Sequence, residues 1–484
     1  NIIAYDSKSV LKALLKESID LPNVSHDIRQ ASFLLDASRA VLGLDDLAMV
    51  DLTDDDGSKT IAALWVIYDR QVEAFKELPG VEAVAQEIDF PLVKVLAGME
   101  STGIKIEPAF FAKMSKELAS QLEKIEKSAY DLVGSEFNLA SPSQLAVVLF
   151  EKLKLPTAGV KKGKTGYSTG IKELEKLRGQ HPIIELIEKH RELSKLKNTY
   201  VDTLPKLVDK NNRLHTNFRQ DVAATGRLSS IDPNLQNIPV RTELGRKIRE
   251  GFVPDKGYVF VSADYSQFEL RLAAVMSGDK AMIEAFNSDQ DIHVLTAAAV
   301  VDIKPEEVTK EMRYKAKAVN FGILYGQGPH GLAVGTGMTF GEAKDFIAKY
   351  FEVWPELKKY MDSLRDKAHN DGYVETLLGR RRPTPDVKSS NFIVRQAAER
   401  AAINMPIQGT EADLMKMAML MVEEKLGDSG KQLLQIHDSV LVEAREKDAE
   451  KVGKMLKETM ENVYPDLGVK LKVDISTGKN WGEI

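Results

Sequence analysis

Asp264 closes the run Tyr258-Val-Phe-Val-Ser-Ala263, and Asp438 sits in the turn of Gln435-Ile-His-Asp-Ser-Val440. Both flanking runs are rich in branched and aromatic residues and read as strands, so both carboxylates stand at strand ends. If the strands are neighbours, the pair could hold two Mg²⁺ ions, hard cations that take oxygen ligands and keep positions free for phosphate and water. Either aspartate alone reads as a turn residue or a helix cap. A third segment lifts the pair above that reading. In Arg313-Tyr-Lys-Ala-Lys-Ala-Val-Asn-Phe-Gly-Ile-Leu-Tyr-Gly326, the residues Arg313, Lys317, Phe321 and Tyr325 recur every four positions. At about 100° per residue each step drifts by about 40°, so the four share one slowly turning helix face. Two cations suit a triphosphate and two aromatics suit a sugar and base. Taken alone, the stripe is equally an amphipathic surface helix.

Such residues need a frame. Gln432–Ile436 and Val440–Glu443 read as a hairpin, and Asp279–Asn404 as a mostly helical insertion. Two sheet segments far apart in sequence therefore join into one sheet that carries a helical subdomain. Upstream, Phe110–Val133 has apolar residues at helical spacing, and Ser141 is placed to cap a helix that starts at Pro142. Gly159–Gly170, with Lys161, Lys162 and Lys164 among four glycines, reads as a flexible basic tip suited to a phosphate backbone. Gly98–Pro108 reads as a turn-rich boundary, and Asp51–Ser58 as an acidic loop.

At 484 residues the chain is long enough for about three domains. It has no Cys, which excludes disulfide scaffolds, thiol nucleophiles and zinc ribbons. The longest charge-free run, Ala318–Gly341, is broken by Asn320, Gln327, Pro329 and His330, so no membrane partner is expected. No signal peptide is evident, and the absence of a starting Met suggests a fragment or processed chain. The net charge of −6 hides an asymmetry: residues 1–100 carry 9 Lys/Arg against 18 Asp/Glu, residues 151–200 carry 12 against 6. Local fields attract phosphates within a Debye length, so the basic stretch matters more than the sum.

Ala263-Asp-Tyr-Ser-Gln-Phe-Glu-Leu-Arg271, the Arg313–Gly326 helix and Gln435-Ile-His-Asp438 together resemble motifs A, B and C of family A DNA polymerases, the bacterial DNA polymerase I type. Ala224-Thr-Gly-Arg-Leu-Ser-Ser230, Asp232-Pro-Asn-Leu-Gln-Asn-Ile-Pro239, Leu378-Gly-Arg-Arg-Arg382 and Asn404-Met-Pro-Ile-Gln-Gly-Thr410 extend the likeness over residues 100–484. The resemblance implies an α+β multidomain right hand, with an antiparallel-sheet palm (206–276 and 405–484), helical fingers (277–404) and a helical thumb (99–205). A truncated exonuclease-like α/β domain (1–98) would precede it. It further implies DNA synthesis on primer-template DNA from dNTPs, by a monomer, in the cytoplasm if the source is bacterial.

By the same resemblance Asp264, Asp438 and the backbone carbonyl of Tyr265 bind two Mg²⁺, which Mn²⁺ could replace, and Lys317 protonates the leaving pyrophosphate. Arg313, Lys317 and His293 match phosphate contacts, while Phe321, Tyr325 and Gln267 match other nucleotide contacts. Glu269 matches the gate that excludes a 2′-hydroxyl. Arg227, Asn237, Asn404, Gln408, His437 and Arg400 match positions along the primer-template, with Lys161, Lys162 and Lys164 as backbone contacts. Ser439 stands where the family usually has Glu, and Phe268 replaces the usual Ile or Leu beside the gate, so altered metal dependence and looser sugar selection are expected. Residues 1–98 resemble only the later part of the family's proofreading domain, around Tyr5-Asp-Ser-Lys8 and His26-Asp-Ile-Arg29. They contain no Asp-x-Glu or Tyr-x-x-x-Asp, so no proofreading is expected of them. A single-subunit RNA polymerase and an inactive primer-template-binding protein are the competing readings.

Overall fold

The computed structural model describes residues 1–38, 43–52, 57–164, 166–240 and 242–484. The acidic centre of Asp51–Ser58, at 53–56, lies outside the described residues. In the first hundred residues, strand β1 (Ile2–Ala4) pairs in parallel with β2 (Val24–Asp27) across helix α1 (Ser7–Lys16). Helices α2 (Ile28–Leu35), α3 (Ser58–Lys76) and α4 (Phe90–Thr102) also belong to this region, with shorter helical pieces between them. Leu11, Val24, Phe75, Phe90 and Val93 belong to an apolar cluster of its own. The turn expected from Gly98 starts later: α4 runs through it to Thr102 and ends at Gly103, φ +64°. The helix persists because both of its sides are buried. Phe90, Val93 and Ala97 face the first cluster, and Leu92, Val95, Leu96 and Met99 face the main core.

Helix α5 (Pro108–Val133) buries Phe111, Met114, Leu118, Ile125 and Ala129 along one stripe and packs on α6 (Ile183–Leu196). Ser141 caps the next helix, its Oγ accepting from the Gln144 amide. The basic tip is more ordered than its glycines suggest. Lys162–Gly163 and Gly166–Tyr167 form a small hairpin, the Lys162 ammonium lies 5.1 Å from the Tyr167 ring centre, and Glu173 accepts from the Lys161 amide. Lys161, Lys162 and Lys164 all point their surface to solvent, and Thr165 lies outside the described residues.

Strand β3 (Tyr258–Tyr265) is followed, after a two-residue turn, by α7 (Phe268–Ser277). A run of helices, including α8 (Ile292–Val301), α9 (Lys310–Leu324) and the 35-residue α10 (Phe392–Leu426), separates it from the hairpin β4 (Gly430–Ile436) and β5 (Ser439–Arg445). Strand β6 (Val473–Gly478) comes last. The four strands form one antiparallel sheet in the order β4-β5-β3-β6, so segments about 170 residues apart do join. Strand β5 is buried from Ser439 to Ala444, whereas β3 is buried over Val259–Val261 and opens toward Asp264; the helix Ala449–Glu461 packs on both, and α10 packs on β4. Among the described residues no helix is long and apolar enough to cross a membrane.

Candidate active site

Register brings the two aspartates together. Ser439 pairs with Asp264 across β5 and β3, and the Tyr265 amide donates to the Asp438 carbonyl at 3.0 Å. The hairpin loop is only His437-Asp438, and His437 is left-handed at φ +55°. Gln267, in the turn after Asp264, is left-handed at φ +56°. A non-glycine residue in that region costs about 1–2 kcal/mol, so both carboxylates are presented by turns held against local preference. Burial pushes the Asp264 carboxyl up to about 7, helped by Asp438 and then by Asp474, its cross-strand neighbour on β6. Burial likewise raises Asp438.

No ion pair involves either aspartate among the described residues. Two carboxylates at one strand-end junction with no bonded cation, although Arg227 reaches Asp438 electrostatically, fit a divalent cation. Among the described residues no three His, Cys, Asp or Glu side chains are grouped to hold a metal. Two side-chain ligands leave coordination positions to phosphate and water, the arrangement Mg²⁺ favours.

Glu269, the expected gate, lies five residues on. Glu269, nearly buried, accepts from Tyr325 Oη at 2.8 Å through Oε2 and from Arg227 Nη2 at 2.8 Å through Oε1. Gln408 Nε2 reaches the same Oε1 at 3.4 Å. Arg227 Nη2 also donates to Glu411 Oε2 at 2.7 Å. Burial works against the Arg227 charge, but Glu411 and Glu269 outweigh it and hold the group above its ordinary value. Burial, then Glu269, raises Tyr325. Phe268 points into the core and stacks on Tyr265 with centroids 4.0 Å apart. Its larger ring is thus absorbed by that stack, and the Tyr265 hydroxyl is tied to the Met460 carbonyl at 2.7 Å.

On α9 the buried side is Ala316, Val319, Asn320, Ile323 and Leu324, while Arg313, Lys317, Phe321 and Tyr325 lie on the accessible side. Thr309 caps the helix. Arg313 Nε is held by Asp291 at 2.7 Å. His293 is 1% exposed; Asn320 Nδ2 lies 2.8 Å from its Nδ1, and Asn320 Oδ1 accepts from Thr296. That network assigns the ring proton to Nε2. Burial pulls His293 down to about 4, with Arg313 and Lys317 adding to the fall against Asp291, so the ring is neutral near pH 7.

Of the expected template-side residues, Gln408 reaches Glu269, Asn404 Nδ2 donates to the Leu324 carbonyl at 3.4 Å, and Arg400 packs over Gly326 at the end of α9. The Asn237 carbonyl accepts from Tyr200 Oη at 2.8 Å, and Gln435 Nε2 holds the His437 carbonyl at 2.5 Å. The Gln267 Oε1 is buried without a partner. Lys161, Lys162 and Lys164 are on the separate hairpin between α5 and α6 and are not part of this cluster.

Sequence reasoning missed Glu411. Its signal was present: Asn404, Gln408 and Glu411 follow the i, i+4, i+7 spacing of one helix face. Asp291 and Asn320, which fix Arg313 and His293, carried no sequence signal because their partners lie 22 and 27 residues away.

The profile of DNA polymerase family A matches residues 108–483. The chain belongs to DNA polymerase family A. Over 412 residues it is 48% identical to the thermostable DNA polymerase I of Thermus caldophilus, covering 84% of this chain and 49% of that protein. It is 41% identical over 510 residues to DNA polymerase I of Bacillus caldotenax, covering 99% of this chain and 57% of that one. This family A chain thus spans about half the length of the curated relatives it matches. The POL domain of Pol1 from M. smegmatis, solved in complex with DNA primer-template and dNTP, superposes with a TM-score of 0.91 at 37% identity, over 99% of this chain and 86% of that one. The fold is that of a family A polymerase domain.

Proposed function

We propose that this chain is a template-directed DNA polymerase that adds deoxynucleotides to a primer 3′-hydroxyl and releases pyrophosphate, as a cytoplasmic monomer. The observation that carries the reading is the unpaired Asp264–Asp438 couple on neighbouring strand ends, five residues from a gate bonded to the end of the Arg313–Tyr325 face. In this reading residues 206–276 with 405–484 are the palm, 277–404 the fingers, 99–205 the thumb, and 1–98 a domain without proofreading activity. Support comes from the sheet, whose strands all fall in the two palm segments, and from the mostly helical stretch between them.

Asp264, Asp438 and the Tyr265 carbonyl would hold two divalent cations, Mg²⁺ with Mn²⁺ able to replace it, which supply charge to acidify the 3′-hydroxyl and neutralise the leaving pyrophosphate. Arg313 and Lys317 bind the triphosphate, and His293 offers Nε2–H to it. As the 3′-hydroxyl gives up its proton to solvent and its oxygen bonds to the α-phosphorus, the bond to pyrophosphate breaks and Lys317 gives its proton to the departing oxygen, to be reprotonated from solvent. Phe321 packs on the sugar, Gln267 lines the pocket, and Tyr325 leaves Glu269 so that the carboxylate can stand against C2′ and exclude a hydroxyl. Arg227, Asn237, Arg400, Asn404, Gln408 and His437 line the primer-template, while Lys161, Lys162 and Lys164 contact its phosphates. Pair shape then sets specificity, because closing around a correctly shaped pair assembles the site.

The test is extension of a labelled primer-template with Mg²⁺ and either dNTPs or rNTPs, beside Asp438→Ala. Extension with dNTPs alone, lost in the variant, is expected. Preferential use of rNTPs would mean an RNA polymerase, and tight primer-template binding without extension would mean a binding protein.

A further inference from the structure

Arg227 is a single cation shared by two nearly buried carboxylates from different helices, Glu269 on α7 and Glu411 on α10, and the same nitrogen serves both at 2.8 and 2.7 Å. Glu411 is 2% exposed and lies within electrostatic reach of Asp438 as well as of Glu269; burial, with those two carboxylates, pushes its carboxyl up, and the bond and charge of Arg227 are what oppose that rise and favour the carboxylate. A buried carboxyl in that position adds repulsion to a site already crowded with acidic groups, so on packing grounds an apolar residue would serve better. Among the described residues its one bonded side-chain partner is Arg227. That guanidinium has capacity to spare, since its Nε is buried without an acceptor. Were Glu269 its sole anchor, Arg227 would be pulled wholly onto the gate and would follow every movement of Glu269 when Tyr325 leaves. The second anchor on α10, the helix that also brings Gln408 to Glu269, fixes Arg227 to the palm side while the gate changes partners.

We propose that Glu411 is the positioning residue for Arg227, and through it for the gate Glu269, and that its carboxylate supplies from helix α10 the acidic charge that strand β5 lacks at Ser439. Ser439 follows Asp438 directly, is buried, and spends its hydroxyl on the Ile436 carbonyl at 3.0 Å, so it brings no charge to the centre. The inference rests on the polymerase reading above and deepens it: Glu411 sets sugar discrimination and the rate of incorporation, and the acidic group can be supplied from either element.

Four full-length variants test this: Glu411→Gln, Glu411→Ala, Ser439→Glu and the double Glu411→Ala/Ser439→Glu. For each, single-nucleotide incorporation into a primer-template is measured with dNTP and with rNTP, giving kcat, KM and their ratio for the two sugars, with thermal melting as a check of folding. Glu411→Gln keeps size and an acceptor oxygen and removes only the charge. It is expected to lower kcat for dNTP at least tenfold and to shrink discrimination against rNTP several-fold with melting unchanged. A loss confined to stability would not move the sugar ratio. The double variant is expected to regain a large part of what Glu411→Ala loses. Wild-type discrimination and kcat in both Glu411 variants, or a double variant no better than Glu411→Ala, would overturn the proposal while leaving the polymerase reading intact. Failure of wild type to extend any primer would remove that reading, and this one with it.

Discussion

The molecule holds two groups of carboxylates, one fully buried and one at an open strand end, and treats them in opposite ways. At the junction of the first hundred residues with the rest, Asp89 and Asp413 meet Arg380 and Lys416, all with side chains at most 3% exposed. Arg380 grips both oxygens of Asp89 at 2.9 Å and Asp413 at 2.7 Å, while Lys416 adds a bond to Asp89 at 2.7 Å and Gln30 and Thr376 donate to what remains. Two negative charges face two positive ones, and every carboxylate is bonded. Burial opposes the Asp89 charge, but Arg380 and Lys416 overcome it and hold the carboxyl well below the ordinary range. At Asp264 and Asp438 the protein supplies no such cation, and burial with mutual repulsion pushes Asp264 up to about 7. The first group is complete as folded and serves to join elements. The second is complete only with positive charge brought from outside, which is what a site for metal-bound phosphate requires.

The largest expected effect comes from removing charge at the second group. Asp264→Asn should cut nucleotide incorporation by on the order of 10³-fold or more while melting stays the same or rises, because a repulsion is relieved. A fall in melting temperature would show that Asp264 is structural, like Asp89. At the first group the pattern reverses. Asp89→Ala leaves two buried cations short of a partner and should destabilise the chain by about 3–5 kcal/mol in denaturant unfolding. A change under about 1 kcal/mol would mean that water or rearrangement replaces the carboxylate.

Asp27 is an intermediate case, a buried carboxyl whose partners are the Ser7 and Gln30 amides rather than cations. Burial raises it to about 6, against roughly 4 for an unfolded chain. Its folded form therefore keeps a proton that the unfolded form releases. The stability it contributes is full below about pH 4 and is lost as pH rises through 6, by up to roughly 3 kcal/mol at about 1.4 kcal/mol per unit. Asp27→Asn, which removes the titrating group but keeps an acceptor oxygen for only one of the two amides, should flatten that slope at some cost in stability at every pH, and an unchanged slope would clear Asp27 of it. The smallest effect concerns a surface: exchanging Lys161, Lys162 and Lys164 for Ala should weaken primer-template binding modestly and make it less salt-dependent. Equal salt slopes would remove the hairpin from the interface.

How much of this was legible in the sequence follows from distance along the chain. Tyr258–Tyr265, the hairpin around His437-Asp438 and the Arg313–Tyr325 face are local patterns, and periodicity with turn chemistry suffices to find them. The Asp89–Arg380 pairing spans 291 residues and leaves no local trace, and Lys416 reads as one more helix lysine until its burial is seen. Gly98 signalled a turn, but burial of α4 on two sides overrode a local propensity of about 1 kcal/mol. Glu411 was readable by spacing, yet its meaning depends on Arg227, which arrives from 184 residues upstream.

The most direct measurement is single-nucleotide incorporation into a primer-template as Mg²⁺ is raised, for wild type and for Asp438→Asn, with primer-template binding measured alongside. The account predicts incorporation that saturates with Mg²⁺ in wild type and is absent in Asp438→Asn at every concentration, with binding retained. Incorporation by Asp438→Asn at the wild-type rate would contradict it, because the chemistry would then not depend on the unpaired carboxylates.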